Sequence, residues 1–202
     1  RKMGLRKDNH SKKEADQRDQ ELVTLILEGG DAAFKELVSR YSGPLLSLAY
    51  RMCGDYEEAE EAVQEIFSKV YSSLSKYDPQ HRFFSWIYTI SMNHIRSIKR
   101  SKAFFQRKQT LGLDDVTNNN PIAGNSAGPD QIAIRNEAER AVEQALMKLK
   151  RKHREVFVMR HIQELSVKET SDILDIPENT VKTYLRRAKQ QLADLLKEWG
   201  WE

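Results

Sequence analysis

Apolar residues recur along this chain at spacings of three and four, the period of a helix with one buried face. Alternation at period two is never sustained over a useful length. Leu22, Leu25 and Ile26 open the first such stripe, and Gly29-Gly30 ends it. Asp31 is placed to cap the next helix, whose inward positions are Phe34, Leu37, Val38 and Tyr41. Gly43-Pro44 is expected to be a joint, followed by a short apolar helix from Leu45 to Met52. Gly54 stops that helix, and Asp55 caps a long one from Tyr56 to about Leu74. Its expected stripe is Ala59, Ala62, Val63, Ile66, Phe67, Val70 and Tyr71. After a loop at Asp78-Pro79, another helix is expected from Phe84 to Arg100, with Trp86, Ile87, Ile90, Ile95 and Ile98 among its apolar positions. Further on, Ile134, Ala138, Ala141, Val142, Ala145 and Leu149 mark one helix. Val156, Phe157, Met159 and Ile162 mark the next, over His153 to Ile162.

The stretch from Ser166 to Gln191 carries the most specific pattern. Ser166 and Glu169 form a capping box, so a helix starts there. Val167, Thr170, Ile173 and Leu174 share one face. Asp175 and Ile176 make a turn, and Pro177 suits the first turn of a new helix, where its missing N–H costs nothing. Val181, Leu185, Ala188 and Leu192 form the second helix's buried stripe, and Lys182, Thr183, Arg186, Arg187 and Lys189 fall outside it. Two short helices, a tight turn and a one-sided basic second helix describe a helix-turn-helix, whose second helix reads the DNA major groove. A small helical bundle with a solvated basic face is the plainer alternative.

The helical pattern breaks at both ends and in the middle. Residues 1–18 are charged and lack an apolar period, so a disordered tail is expected. Residues 103–130 hold the isolated Leu111 and Leu113, the breaker cluster Asn118-Asn119-Asn120-Pro121, then Gly124, Gly128 and Pro129. That is longer than a compact domain normally tolerates as a loop. The expected organisation is all-α: a helical domain over 19–102, a flexible linker over 103–130, and a second small helical domain over 131–202, with Asp130 as a cap before it.

Composition adds a partner to this picture. The net charge is only +3, but its signs are segregated. Six acidic residues and no basic one lie between Asp55 and Glu65; seven Lys or Arg and no acidic residue lie between Arg82 and Lys108. A chain needing only solubility would mix its signs, so two partners are implied, one of them a polyanion. Aromatics thread the basic block: Tyr77, Phe83, Phe84, Trp86 and Tyr88 stand near Asn93, Arg96, Lys99 and Arg100. Rings stack on unpaired bases while cations follow phosphates. The same rings could be core: Trp86 and Ile90 read more naturally so, and Phe84 fits either role. The acidic row Glu57, Glu58, Glu60, Glu61, Gln64 and Glu65 is a solvated face or a docking surface for a basic protein.

Catalytic signals are missing. Five histidines and the single Cys53 have no zinc spacing, and there is no phosphate loop, dinucleotide turn or nucleophile elbow. Neither catalytic residues, nor a metal, nor a cofactor, nor a small-molecule substrate is expected. One cysteine excludes an internal disulfide and suggests a reducing compartment; no apolar run approaches a membrane span, so the cytoplasm is the expected location.

Three segments together resemble the extracytoplasmic function (ECF) group of bacterial RNA polymerase sigma factors, over about residues 19–197. Ala32 to Val38, Leu48 to Arg51 and Glu58 to Phe67 are similar to the first segments of sigma region 2. Phe84 to Asn93 (Phe-Ser-Trp-Ile-Tyr-Thr-Ile-Ser-Met-Asn) is similar to its promoter-melting segment, and the C-terminal hairpin to region 4. Two departures stand out: no proline follows the leucine near Lys150, and Thr170-Ser171 replaces the usual Ile-Ala.

The resemblance implies roles residue by residue. Glu58, Glu61, Gln64 and Glu65 would dock on the β′ clamp helices of core RNA polymerase, whose β subunit is a further contact. Tyr77, Asp78, Pro79, Arg82, Phe83, Phe84 and Asn93 would capture a flipped base of the minus-10 promoter element, with Arg96, Lys99 and Arg100 on the backbone nearby. Lys182, Thr183, Arg186 and Arg187 would read or grip the minus-35 element. The linker, with Asp114 and Asp115, would thread toward the RNA exit path. An anti-sigma factor would be the silencing partner. The competing expectation is an ordinary helix-turn-helix regulator that binds duplex DNA unaided.

Overall fold

The computed structural model describes residues 2–110 and 137–198, with side chains over 14–101 and 140–198. Among these residues every regular element is helical: α1 (Lys2–Leu27), α2 (Asp31–Cys53), α3 (Tyr56–Ser73) with a 3-10 turn at Leu74–Lys76, and α4 (Phe83–Thr110). Then come α5 (Glu137–Lys148), α6 (Arg151–Phe157) running into a π-helical turn at Val158–Ile162, α7 (Val167–Leu174) and α8 (Glu178–Glu198). No helix of the described residues is long and apolar enough to cross a membrane.

Helices α1 to α4 pack into one bundle, with α2 against α1, α3 and α4. Its core holds Leu22, Leu37, Leu45, Leu48, Ile66, Val70, Ile87 and Met92. The Asp55 carboxylate accepts from the Glu58 backbone N–H at 2.9 Å, capping α3 as expected. Asp31 is not a cap: Gly30 holds that position without a side-chain bond, and Asp31 is the first helical residue. Helices α5 to α8 form the second group, α8 lying against α5, α6 and α7.

Four further expectations are corrected. The polar segment before residue 18 is helical from Lys2 on. Charged contacts hold its C-terminal part: Asp16 accepts from Arg82 at 3.1 Å, Arg18 pairs with Glu36 at 2.8 Å, and the buried Asp19 accepts from Arg40 at 3.0 Å and from the Tyr41 hydroxyl at 2.5 Å. Burial raises the Asp19 carboxyl above its ordinary range, although Tyr41 and Arg40 pull it the other way.

Gly43-Pro44 is not a joint, because α2 runs through it. Proline lacks the N–H for one ladder bond, but Tyr41, Leu45, Leu48 and Met52 keep one continuous buried face across it. Helix α4 continues to Thr110, past the expected boundary at 102. Residues 101–110 contain no glycine or proline to stop it. The rest of the expected linker, Asp114, Asp115 and Asp130 included, lies outside the described residues, as does Ile134 of the helix expected after it. Finally, Tyr71 and Leu25 are about half exposed rather than core, at 55% and 46%. The Tyr71 ring packs edge-on to Phe34 at 4.9 Å on the rim of the bundle.

Candidate nucleic-acid interface

The hairpin is built as its sequence dictates. Ser166 Oγ accepts from the Glu169 N–H at 3.1 Å, and Glu169 Oε2 accepts from the Ser166 N–H at 2.7 Å, so both arms of the capping box are present. Asp175 takes a left-handed conformation (φ 53°) that ends α7. The Ser171 hydroxyl donates to the Ile176 carbonyl at 2.6 Å, tying the turn together at one of the two departures from the family pattern. The Pro177 carbonyl then accepts the first bonds of α8, from Thr180 and Val181. Val181, Ala188 and Leu192 are buried, Leu185 is half-buried, and Lys182, Arg186 and Arg187 are exposed. Thr183 is half-buried, and its hydroxyl donates to the Asn179 carbonyl at 2.8 Å. All four expected minus-35 residues therefore share one side of α8, opposite the stripe that holds it to α6 and α7.

The basic, aromatic block divides in two. Phe83 is fully buried and Tyr77 nearly so, the two rings edge-to-face at 5.3 Å with Trp86 beside both. The Tyr77 hydroxyl donates to the His81 carbonyl at 2.6 Å and so closes the loop from Asp78 to Arg82. These rings shape the loop from within rather than offering a stacking face. Within it Asp78 Oδ1 accepts from the Gln80 N–H at 2.9 Å, and Asp78 and Pro79 are exposed. Phe84 is half-buried, stacked on Tyr88 at 4.3 Å with the Arg82 guanidinium 5.9 Å from its ring centre. Asn93 and Arg100 are exposed.

Three other cations of this block, Arg82, Arg96 and Lys99, are occupied. Arg82 donates to Glu169 at 2.5 Å and to Asp16 at 3.1 Å. Arg96 grips both oxygens of Glu155, at 2.7 and 3.2 Å. Lys99 donates to the Cys53 carbonyl at 2.8 Å and lies 3.9 Å from Glu58. A cleft of about 520 Å³ opens beside these contacts, lined by Asp19, Arg40, Tyr41, Phe84, Tyr88 and Glu164 among others. Burial raises the phenols of Tyr41 and Tyr88 far above their ordinary value, so both are donors.

Sequence reasoning finds the cations and misses their partners. Glu169 is legible as a capping residue, but its other oxygen meets Arg82, 87 positions away. Glu155 and Gln163 give no sequence signal beyond a charge and an amide beside apolar positions. On the acidic face of α3, Glu61, Gln64 and Glu65 are exposed; Glu58 is half-buried and turned toward Lys99. Glu65 also lies 3.3 Å from the buried His94, which contacts Lys69 as well.

An acidic face on α3, a half-buried ring on α4 beside cations, and a helix-turn-helix with a one-sided basic second helix are thus set on two groups of helices. The sigma-70 region 2 family model matches residues 37–104, and the sigma-70 region 4 model residues 139–192. The chain is 31% identical over 178 residues to the ECF RNA polymerase sigma factor SigW of Bacillus subtilis, covering 87% of this chain and 95% of that one. It is also 31% identical over 183 residues to the RNA polymerase sigma factor CnrH of Cupriavidus metallidurans, covering 88% and 94%. Among solved structures, the sigma factor RpoE of Bartonella quintana, in complex with the anti-sigma factor NepR, shares the fold with a TM-score of 0.66. Identity there is 20%, over 81% of this chain and 96% of that one. The chain belongs to the ECF group of RNA polymerase sigma factors, a family that acts in transcription initiation and is not catalytic itself.

Proposed function

We propose that this chain binds core RNA polymerase, directs it to promoters with a minus-35 and a minus-10 element, and helps separate the strands at the latter. The observation that carries the reading is the one-sided exposure of Lys182, Arg186 and Arg187 on a capped helix-turn-helix, in a chain whose α4 holds Phe84 and Asn93 beside a basic row. A helix with three exposed cations supplies phosphate and base-edge contacts in the major groove. Unpairing bases is unfavourable, and stacking or pocketing a flipped base offsets it. Phe84, Asn93 and the exposed loop at Asp78 and Pro79 are the groups for that task, with Arg82, Arg96, Lys99 and Arg100 for the backbone. Phe83 and Tyr77 hold the loop in place.

Glu61, Gln64 and Glu65 are the docking face for the β′ clamp helices, with Glu58 at its edge, and the β subunit is the expected second contact. An anti-sigma factor is the expected silencing partner, by likeness to a family with members solved in such complexes. The test is run-off transcription with core polymerase on a promoter library. Transcripts that start at defined sites only when the chain is added support the reading. A chain that binds duplex promoters tightly by itself and leaves core polymerase unable to start would instead be an ordinary regulator.

A further inference from the structure

His94 of α4 is buried against α3, beside the acidic face of that helix. Its two ring nitrogens meet two residues of α3 that stand one turn apart. Nδ1 contacts the Lys69 ammonium, and Nε2 lies 3.3 Å from Glu65 Oε2. Lys69 and Glu65 are themselves 3.8 Å apart. An ammonium can only donate, so Nδ1 is the acceptor, and the ring is neutral with its proton on Nε2. That N–H is buried and makes no hydrogen bond among the described residues. The Glu65 carboxylate, on a side chain 64% exposed, is the acceptor beside it. Lys69 and Glu65, both of α3, are the charged groups that act on the ring. The carboxylates that other elements set around α4 are engaged elsewhere: Asp16 of α1 and Glu169 of α7 by Arg82, and Glu155 of α6 by Arg96. On α3 Glu58 faces Lys99, to which α2 also offers the Cys53 carbonyl.

We propose that His94 is a positioning residue of the polymerase-docking face: neutral, it holds Lys69 and leaves Glu65 to a basic partner, and protonated, it releases Lys69 and takes Glu65. A second proton on Nδ1 turns that nitrogen from acceptor to donor and sets a like charge against the Lys69 ammonium. The imidazolium then gains the Glu65 carboxylate as a charge-assisted partner. The face carries one negative charge fewer, and its glutamate is drawn against α4. Both changes oppose docking on a basic surface. Burial and the Lys69 ammonium favour the neutral ring, so the face keeps its docking form at neutral pH and changes only below about 6.5. This inference rests on the docking reading of α3 given above.

The test is the affinity of the full chain for core RNA polymerase between about pH 8 and about pH 5.5, the range that spans an imidazole titration. Wild type, His94→Gln, Lys69→Gln and His161→Gln are compared at each pH, so that titration of the polymerase itself cancels. Circular dichroism keeps the comparison to the pH values at which all four are equally helical. Glutamine at 94 offers an amide donor and a carbonyl acceptor and stays uncharged. Wild type and His94→Gln should bind alike at the upper end. On acidification wild type should lose about two- to fivefold more affinity than His94→Gln, the effect of one partly exposed charge pair. His161→Gln alters a histidine on the other group of helices and should follow wild type. Lys69→Gln removes the like charge at a half-exposed position, so its fall in affinity should begin at a higher pH, and it serves if His94→Gln does not fold. Equal pH dependence in wild type and His94→Gln, its loss in His161→Gln as well, or an unmoved midpoint in Lys69→Gln overturns the inference. A wild-type chain that binds core polymerase at no pH sinks the docking reading itself.

Discussion

Arg187 is an exposed cation on the outer side of α8, and the contribution to DNA binding proposed for it is counterion release at one phosphate or one base edge. Arg187→Ala in the holoenzyme should weaken binding to the upstream promoter duplex and lower the slope of log affinity against log salt by about 1. Titration at several salt concentrations reads both, and an unchanged slope would count against α8 as the upstream reader. Asn93 is exposed on α4 with no structural task in the bundle. Asn93→Ala should slow open-complex formation while core binding stays as in wild type; equal loss of both would contradict the separation of the two faces.

His94 behaves differently, because it is buried. Burial and the Lys69 ammonium hold its pKa below the ordinary imidazole value, against a smaller upward pull from Glu65. Burial, Lys189 and Arg160 lower His161 likewise. The unfolded chain titrates these groups near about 6.5, so between that value and the lowered folded one it holds more protons than the folded chain. Their contribution to stability is thus fully present above that range and is lost as pH falls through it. The melting temperature should drop between about pH 8 and about pH 5.5, and the drop should shrink in His94→Gln/His161→Gln. An undiminished drop would assign it to other groups.

At the scale of elements, the helix starts are the firmest link between residues and fold. Asp55 supplies the side-chain acceptor for the first turn of α3 and fixes where the acidic face begins. Asp55→Ala should cost about 1 kcal/mol, lowering the melting temperature by about 2–4 °C in a chain of this size. A shift much below that would mean water or a neighbouring group replaces the cap. Asp55, Ser166 and Glu169 were all legible, because capping is a matter between residues three apart. The course of α2 through Pro44 was not, because a proline signals a break locally while the buried face around it belongs to the tertiary packing. The turn of α1 just ahead of Glu21 escaped for the same reason: Arg18 and Asp19 find their partners on α2, about twenty positions on.

Across the whole molecule, the sequence shows which faces exist and the structure shows which face each other. The cations on and just before α4 and the carboxylates of α6 and α7 are both plain in the chain, but their pairing depends on how two helical groups meet. Tyr77 and Phe83 mark the boundary of what aromatic content can say, since a ring beside cations is a base platform only when its face is exposed. The proposed division of labour across the molecule, with α8 choosing the site and α4 holding the opened strand, is tested most directly by permanganate reactivity of promoter thymines. With core polymerase and the chain together, thymines around the minus-10 element should become reactive on a promoter recovered from the library, and with either component alone they should not. Thymines that stay unreactive in that ternary complex, while the holoenzyme is bound to the promoter, would contradict strand opening by this chain.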